Sequence, residues 1–313
     1  MSLLRRDDDT LATAGVDPYL DIPWVRVAAL VVGVVAVSTA AILVRAADAP
    51  ALAVAWWRTA AAAVVLAPFA VRVRVVPTAR QRQLLVLSGL LLGVHFTLWF
   101  ASLDMTTVAA SSVLVCMSPV VVGAGSALVL REPPSRMTWI GMWLAVIGAV
   151  VIVAGDLGGT GTRALIGDAL ALAAAVAVAG YLLLGRYARR TLPVSVYATW
   201  TYGSAAIALL VVSVVTGTNL GVGGAGAVTG YRAGTWLAIA GLVVGPQLLG
   251  HTVFNLLMAR VSATVVAIVV IAEPVGATVL AALLLSEAPS GWFYAGAPLV
   301  LAGVLLAARA SRV

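Results

Sequence analysis

Four side chains that can carry charge lie well inside hydrophobic runs of this sequence: Glu273, Arg58, His95 and His251. In a membrane helix a carboxylate costs roughly 3 kcal/mol on insertion scales, so it needs a partner, water or a proton. Glu273 is therefore a candidate for binding a proton or the ammonium group of a ligand. Alternatively, Glu273 ties the helix break expected at Pro274 to a neighbouring helix.

The two histidines are at nearly equivalent depths when the halves of the sequence are aligned. At an offset of 155 residues His95 aligns with Gly250, the neighbour of His251. Neutral imidazoles can form hydrogen bonds with a bound molecule or shuttle protons. The other interpretation is an interhelical hydrogen bond that fixes packing, worth about 0.6–2 kcal/mol. A metal pair is not expected, because no third or fourth ligand is spaced nearby.

Arg58 is open to three interpretations. Its guanidinium can bind a carboxylate through two parallel hydrogen bonds. It can instead extend to the membrane surface beside Trp56 and Trp57, which resemble an interfacial aromatic belt. A direct pairing of Arg58 with Glu273 is the third.

Aromatic and small polar residues inside the same hydrophobic runs are further candidates for lining a binding site. Aromatic side chains suit organic cations or amino acids, although ordinary packing is the alternative for each. The hydroxyl and amide side chains can instead bond their own backbone. These candidates are Trp99, Tyr181, Trp200, Tyr202, Ser38, Thr39 and Asn255.

The composition indicates whether these residues lie in a water-soluble protein or in a membrane protein. Hydrophobic residues make up 62% of the chain and charged residues 10%, and mean hydropathy is +1.09. Average soluble domains are about 45–50% apolar and about 25% charged. A soluble enzyme or a nucleic-acid binder is therefore excluded. The single cysteine, Cys116, excludes an internal disulfide framework.

Ten hydrophobic runs are long enough to cross a bilayer, which takes about 20 helical residues. Turn signals separate them, such as Pro77 and the Glu132-Pro133-Pro134 sequence. Helices are expected, because strands of a membrane barrel would alternate and would be shorter. The predicted spans are 27–44, 52–71, 84–103, 107–130, 137–154, 165–184, 194–215, 235–257, 262–285 and 292–308.

The positive charges predict the orientation of these spans. All 19 basic residues are arginines, and with a cytoplasmic N-terminus 15 of them lie on the cytoplasmic side. Only Arg45, Arg163 and Arg232 lie outside, and Arg58 lies within a span. The positive-inside rule therefore predicts that both termini are cytoplasmic. The absence of lysine is typical of a GC-rich genome and favours a bacterial plasma membrane.

An internal repeat divides the chain into two halves. Residues 101–154 align without a gap to 256–309, at the constant offset of 155. The matched pairs include Pro119/Pro274, Glu132/Glu287, Gly141/Gly296 and Gly148/Gly303. The predicted organisation is a cytoplasmic tail (1–26), a first five-helix repeat (27–154), a linker (155–164), a second five-helix repeat (165–308) and a cytoplasmic end (309–313).

An odd number of spans in each half makes the two repeats inverted in the membrane. Inverted repeats are typical of transporters that expose one central site alternately to each side. Pro119 and Pro274 are predicted to break their helices. Gly141, Gly148, Gly296 and Gly303 are predicted to form scaffold contacts, because glycines let helices approach closely.

One glycine motif is a false lead. Residues 221–226 match G-x-G-x-x-G but follow no strand, so we predict a flexible outer loop and no dinucleotide site. No nucleotide-binding loop or metalloprotease motif occurs, and we predict neither a cofactor nor a metal. Any energy for transport must then come from gradients.

Several segments together match the pattern of a known family. They are His95-Phe96-Thr97-Leu98-Trp99 through Ser111-Ser112, Pro119 and Glu132, Gly167-Asp168, and Ser262-Ala263-Thr264 through Glu273-Pro274-Val275-Gly276-Ala277 to Glu287. These segments resemble the EamA-type transporters of the drug/metabolite transporter superfamily. The resemblance implies ten helices with both termini inside, export or exchange of small metabolites, and a cavity lined by both halves, with spans five and ten peripheral.

The sequence thus predicts an all-α membrane protein of ten helices that is a secondary transporter and not an enzyme. Its partners are the lipid bilayer and a small metabolite, drug or amino acid, exported by alternating access, with proton coupling through Glu273 left open. No nucleic acid is expected, and monomer and homodimer are both open. The alternatives are a passive channel or facilitator, a membrane-embedded enzyme and an assembly subunit.

Overall fold

A computed structural model describes residues 18–106, 108–153, 161–221, 230–285, 289 and 291–310. Most of the predicted N-terminal tail and of the linker, the residues between Gly221 and Gly230, and Glu287 lie outside these ranges. Within them the chain is helical and forms no strand. The all-α prediction is therefore confirmed for the described residues.

Within the described residues the first half contains five helical segments, of which two are interrupted. Thr39 interrupts α1, and one break after Val115 divides α4. The last turn of α4, Ser126–Leu130, is π-helical and follows Gly125 without a break. The segments are α1 (Pro23–Ser38 and Ala40–Ala47), α2 (Ala51–Val73), α3 (Ala79–Leu103), α4 (Val108–Val115, Ser118–Gly125 and Ser126–Leu130) and α5 (Arg136–Val153).

The second half repeats this arrangement. Its third segment contains a long π-helical stretch, Val243–Thr252, and its fourth is broken. The segments are α6 (Thr162–Ala188), α7 (Val194–Val215), α8 (Ala233–Leu242, Val243–Thr252 and Val253–Leu257), α9 (Ala263–Val270 and Glu273–Leu285) and α10 (Gly291–Ala310).

In the part of the chain that the structure describes, eight helices are long and apolar enough to cross a membrane. The other two apolar helices are shorter, Ser118–Leu130 in α4 and Arg136–Ile152 in α5. The predicted span 107–130 corresponds to α4. Its continuous helix is shorter than a full span because the break after Val115 separates the first turns from the rest. Ten spans and the position of both termini are therefore still predictions.

Matching prolines explain the breaks in α4 and α9. A proline inside a helix clashes with the carbonyl four residues earlier and lacks the N–H that would bond it. Four residues before Pro119 is Val115, and four before Pro274 is Val270, the last residues of the two first pieces. The two halves are therefore interrupted at equivalent positions.

Large hydrophobic side chains cover the outside of the bundle. Val71, Leu128, Val215 and Leu283 are each more than 70% exposed, which in water would be an extended apolar patch. Inside, one apolar core joins residues of α1, α2, α3, α6, α7, α8 and α9. A second core joins α5, α9 and α10. The bundle is therefore apolar on both its inner and outer surfaces, as a multi-pass membrane protein must be.

Helices α5 and α10 pack mainly against each other, at the edge of the bundle. A Cβ atom added to Gly148 would lie 2.6 Å from Val300 N, and one added to Gly141 would lie 2.6 Å from the carbonyl oxygen of Gly303. Gly296 approaches Gly148 in the same way. The two backbones are thus in direct contact at the predicted scaffold glycines, and the central polar residues are carried by other helices.

Candidate functional site

Arg58 points into the bundle. It is 4% exposed and lies on the buried face of α2 with Val54, Ala55 and Ala62, because residues three and four apart share one side of a helix. Its guanidinium carbon is 4.9 Å from the centre of the Phe96 ring. Extension of Arg58 to the membrane surface, one of the three interpretations, is therefore not what the fold adopts.

The partner of Arg58 is Gln247. Arg58 Nε donates a hydrogen bond to Gln247 Oε1 over 2.8 Å, linking the two halves of the chain. Gln247 is fully buried and lies in the π-helical stretch of α8, beside Pro246. Sequence reasoning missed Gln247, although an amide in an apolar run beside a proline was an available signal. Such wide turns often occur at functional sites.

His95 and His251 both contact the ring of Phe96, and they come from different halves of the chain. The His95 ring centre is 5.3 Å from that of Phe96, and the Phe96 centre is 6.4 Å from that of His251. His95 Nδ1 is 3.0 Å from the carbonyl oxygen of Ala174, which makes Nδ1 the donor. His95 thus forms the interhelical hydrogen bond considered above, while His251 keeps part of its surface accessible.

Trp99 continues this aromatic group along α3. Its ring stacks on His95 at 6.0 Å and on Phe100 at 5.1 Å between centres. Its indole Nε1 is buried and has no hydrogen-bond acceptor among the described residues. Trp99 therefore combines an apolar surface with an unused donor.

Tyr181, Asn255 and Tyr202 form a continuous hydrogen-bond network. Tyr181 OH donates to Asn255 Oδ1 over 2.9 Å, and Asn255 Nδ2 donates to Tyr202 OH over 3.0 Å. Tyr202 OH lies 3.1 Å from Thr252 Oγ1, which donates to the carbonyl oxygen of Gln247. The network connects α6, α7 and α8 and reaches the backbone carbonyl of Gln247 through Thr252. Because the polar groups of this network form hydrogen bonds with one another, we interpret their role as holding the helices of the site in position.

Glu273 begins the second piece of α9, directly after the break. Its backbone carbonyl accepts a hydrogen bond from Ser38 Oγ over 3.2 Å, which fastens the break to α1. The residue is half-buried, and its carboxylate forms no hydrogen bond or ion pair among the described residues. It interacts electrostatically with Arg58, but the direct pairing considered above is not formed.

The remaining small polar candidates bond their own helices. Ser38 Oγ also donates to the carbonyl oxygen of Val34 over 2.8 Å, and Thr39 Oγ1 donates to that of Ala36 over 2.7 Å. Such bonds bend a helix, and α1 is interrupted at Thr39. Ser38 and Thr39 therefore shape α1 next to Glu273.

Trp200 is the candidate that the structure does not bring to the centre. It is 38% exposed and lines an outer groove of about 530 Å³ together with Val86 and Leu90 of α3. Residues two apart on a helix point about 200° apart, and Ala198 and Tyr202 are fully buried. Trp200 therefore faces outward.

The resulting central site joins both halves of the chain. Its members are Arg58, His95, Phe96 and Trp99 from the first half and Gln247, His251 and Glu273 from the second. Among the residues that the structure describes, no group of three histidine, cysteine or acidic side chains could hold a metal ion. The arrangement offers hydrogen-bond donors, a carboxylate and aromatic surfaces, which suits binding of a small organic molecule.

Comparison with known proteins identifies the fold. A solved structure described only as "Crystal structure of protein" aligns with a TM-score of 0.74 at 20% identity, covering 91% of this chain and 98% of that one. The curated proteins contain no match. The model of the EamA-like transporter family matches residues 23–154 and again residues 165–309. The two matches cover most of the chain, and this protein therefore belongs to the EamA-like transporter family, within the drug/metabolite transporter superfamily.

Proposed function

We propose that the protein is a secondary transporter that exports a small metabolite, drug or amino acid across a bacterial plasma membrane by alternating access. The observation that carries the proposal is the central site, in which buried polar groups from both halves meet at Arg58 and Gln247. Buried polar groups are costly in a membrane and are typical of substrate or ion pathways.

The matched breaks in α4 and α9 support the mechanism. Discontinuous helices near the repeat interface are the usual site-forming elements of inverted-repeat transporters. Here the breaks precede Ser118 and Glu273, which are equivalent residues of the two repeats. Bending at either break would open the site toward one side of the membrane.

An ion-pair cluster formed by Glu132, Arg186 and Arg190 supports a closed pathway at one end. Glu132 Oε1 lies 2.9 Å from Arg186 Nη2 and 2.7 Å from Arg190 Nη2. Arg186 Nη1 also donates to the carbonyl oxygen of Met258 over 2.6 Å. The cluster therefore fastens the α4–α5 connection to the ends of α6 and α8, on the cytoplasmic side in the proposed orientation.

Cysteine labelling tests alternating access. The native Cys116 is first replaced by alanine, and His251→Cys is then introduced as the only thiol. A charged, membrane-impermeant thiol reagent is applied to sealed vesicles of right-side-out and inside-out orientation. We expect labelling from both sides, because the site opens alternately to each. Labelling from one side only would contradict the proposal.

Two further single-cysteine variants are controls for sidedness and test the orientation. Ser135→Cys, between α4 and α5, should react only from the cytoplasmic side. Thr216→Cys, at the end of α7, should react only from outside. The opposite pattern would contradict the proposed positions of both termini.

Transport measurements separate a carrier from a channel. A carrier must change conformation for each molecule moved, so its flux should saturate and should be stimulated by substrate on the opposite side. A passive channel would show neither property. Export is tested by the direction of gradient-driven transport. An exporter should take up substrate into inside-out vesicles but not into right-side-out vesicles.

A further inference from the structure

Two donors at the centre of the bundle are not matched by an acceptor in hydrogen-bond geometry among the described residues, Arg58 Nη2 and Gln247 Nε2, although the hydroxyl of Tyr202 lies near the Gln247 side chain. Both side chains are buried, and the arginine Nε already donates to the glutamine Oε1 over 2.8 Å. The unused donors therefore belong to two groups in direct contact. A buried donor without an acceptor destabilises the folded state, and a charged donor does so more strongly.

The chemistry of the two groups restricts what can satisfy them. A guanidinium donates hydrogen bonds and accepts none, and the only acceptor oxygen of Gln247 faces Arg58. A ligand group placed here must accept hydrogen bonds. A carboxylate fits best, because its two oxygens accept from neighbouring donors and its charge compensates that of Arg58.

The surroundings hold the arginine in place and present aromatic surfaces beside it. Phe96 lies under the guanidinium at 4.9 Å, which restrains it through a cation–π contact. Trp99, on the same helix, adds an aromatic surface and a third unused donor, Nε1. Thr252 Oγ1 donates a hydrogen bond to the backbone carbonyl of Gln247 over 3.0 Å and stabilises the π-helical turn.

We propose that Arg58 and Gln247 bind the carboxylate of the transported molecule, which makes the substrate an organic acid or an amino acid. This inference rests on the transport function proposed above. Both ligand classes share the carboxylate. They differ in the ammonium group, for which Glu273, with its unpaired carboxylate, is the available partner.

Thermal unfolding of the purified full-length protein in detergent tests the proposal. The probes are acetate, malate, phenylacetate, alanine and phenylalanine, each compared with its amide. A ligand that binds the folded state raises the unfolding temperature, by an amount that grows with the ratio of its concentration to its Kd. We expect at least one carboxylate to stabilise the protein and its amide not to do so. Stabilisation by amino acids alone would assign the ammonium group a role, and stabilisation by simple acids would not.

The Gln247→Glu variant provides the sharpest test. The introduced carboxylate has the shape of the amide. It would accept hydrogen bonds from both Nε and Nη2 of Arg58 and so take the place of the ligand carboxylate. We expect a higher unfolding temperature without ligand and an apparent affinity for the carboxylate that falls at least about tenfold. Since this variant satisfies Arg58 internally, it should fold.

Arg58→Gln should also lose the response to carboxylates. Arg72→Gln is the matched control, because Arg72 is on the same helix, is exposed and lies outside the site. It should respond as the wild type does. The proposal is overturned if no carboxylate stabilises the wild type more than its amide does, or if Gln247→Glu keeps the full response. If labelling at position 251 still occurs from both sides, the transport mechanism stands and only the substrate class is wrong.

Discussion

At the level of individual residues, Glu273 is the acidic member of the central site, and its side chain forms no hydrogen bond among the described residues. It also retains accessible surface while its neighbour Ser38 is buried. A carboxyl group so placed can take up and release a proton during a transport cycle. Proton coupling therefore depends on whether the Glu273 proton moves with the cargo.

Glu273→Gln separates coupling from structure. The amide keeps the size of the side chain but cannot lose a proton, so we expect flux driven by a pH gradient to stop while exchange without a gradient continues. Both are measured in proteoliposomes. Asp104→Asn, which changes an exposed carboxyl group, is the control and should behave as the wild type. Unchanged gradient-driven flux in the glutamine variant would assign Glu273 a structural role.

Asn255 is expected to be more important for stability than either tyrosine that it joins. Asn255→Leu leaves the hydroxyls of Tyr181 and Tyr202 each without one partner, at about 1–3 kcal/mol for each buried group. Tyr181→Phe removes only one bond of the network. Thermal unfolding in detergent should therefore rank wild type first, Tyr181→Phe second and Asn255→Leu last, and equal losses would contradict this view of the network.

The residues predicted from sequence were those whose polarity conflicts with an apolar run. Arg58, Glu273 and the histidines were found in this way, because a charge in hydrocarbon needs an explanation. Gln247 was missed, since an uncharged amide conflicts less and its role depends on the π-helical turn. Trp200 was placed inside because both faces of a membrane helix are apolar, so periodicity does not distinguish lipid from interior.

At the scale of elements, the contact between α5 and α10 depends on the absence of side chains. A Cβ atom at position 148 would lie 2.6 Å from Val300 N and 2.8 Å from the Gly296 carbonyl oxygen, and backbone atoms cannot move aside locally. The helices must separate to accept even a methyl group. The sequence pointed to these glycines through the repeat, but only the fold shows that they oppose one another.

Gly148→Ala should therefore lower the unfolding temperature. Gly203→Ala is the matched control, because a Cβ atom added at Gly203 meets nothing within 4 Å. In a helix interior that change is neutral or stabilising, by up to about 1 kcal/mol. The comparison requires only thermal unfolding of the two variants, and similar effects of both would refute the close-contact explanation.

At the scale of the whole molecule, the Glu132 ion-pair cluster makes stability depend on pH. Burial raises the pKa of Glu132, but hydrogen bonds from Arg186 and Arg190 outweigh burial and hold the pKa below its ordinary value. A carboxyl group with a lowered pKa in the folded state stabilises the fold above its unfolded pKa. That contribution is lost as the pH falls through the folded pKa.

We therefore expect the unfolding temperature of the wild type to fall on acidification below the ordinary range of glutamate. Glu132→Gln removes the titrating group and should flatten this part of the profile. The effect will be small, because the cluster is partly exposed and solvent screens it. Parallel profiles of the two proteins would show that other groups control acid stability.

The two halves also differ in one consequential way. Their breaks fall at equivalent positions, yet the residue after the break is Ser118 in one repeat and Glu273 in the other. Two matched halves would give inward-facing and outward-facing forms of nearly equal free energy, and a bias of about 1.4 kcal/mol shifts such a balance tenfold. A single ionisable side chain on one hinge is enough to supply it. The protonation state of that hinge would then set the resting orientation of the empty carrier, even if no proton were ever carried across.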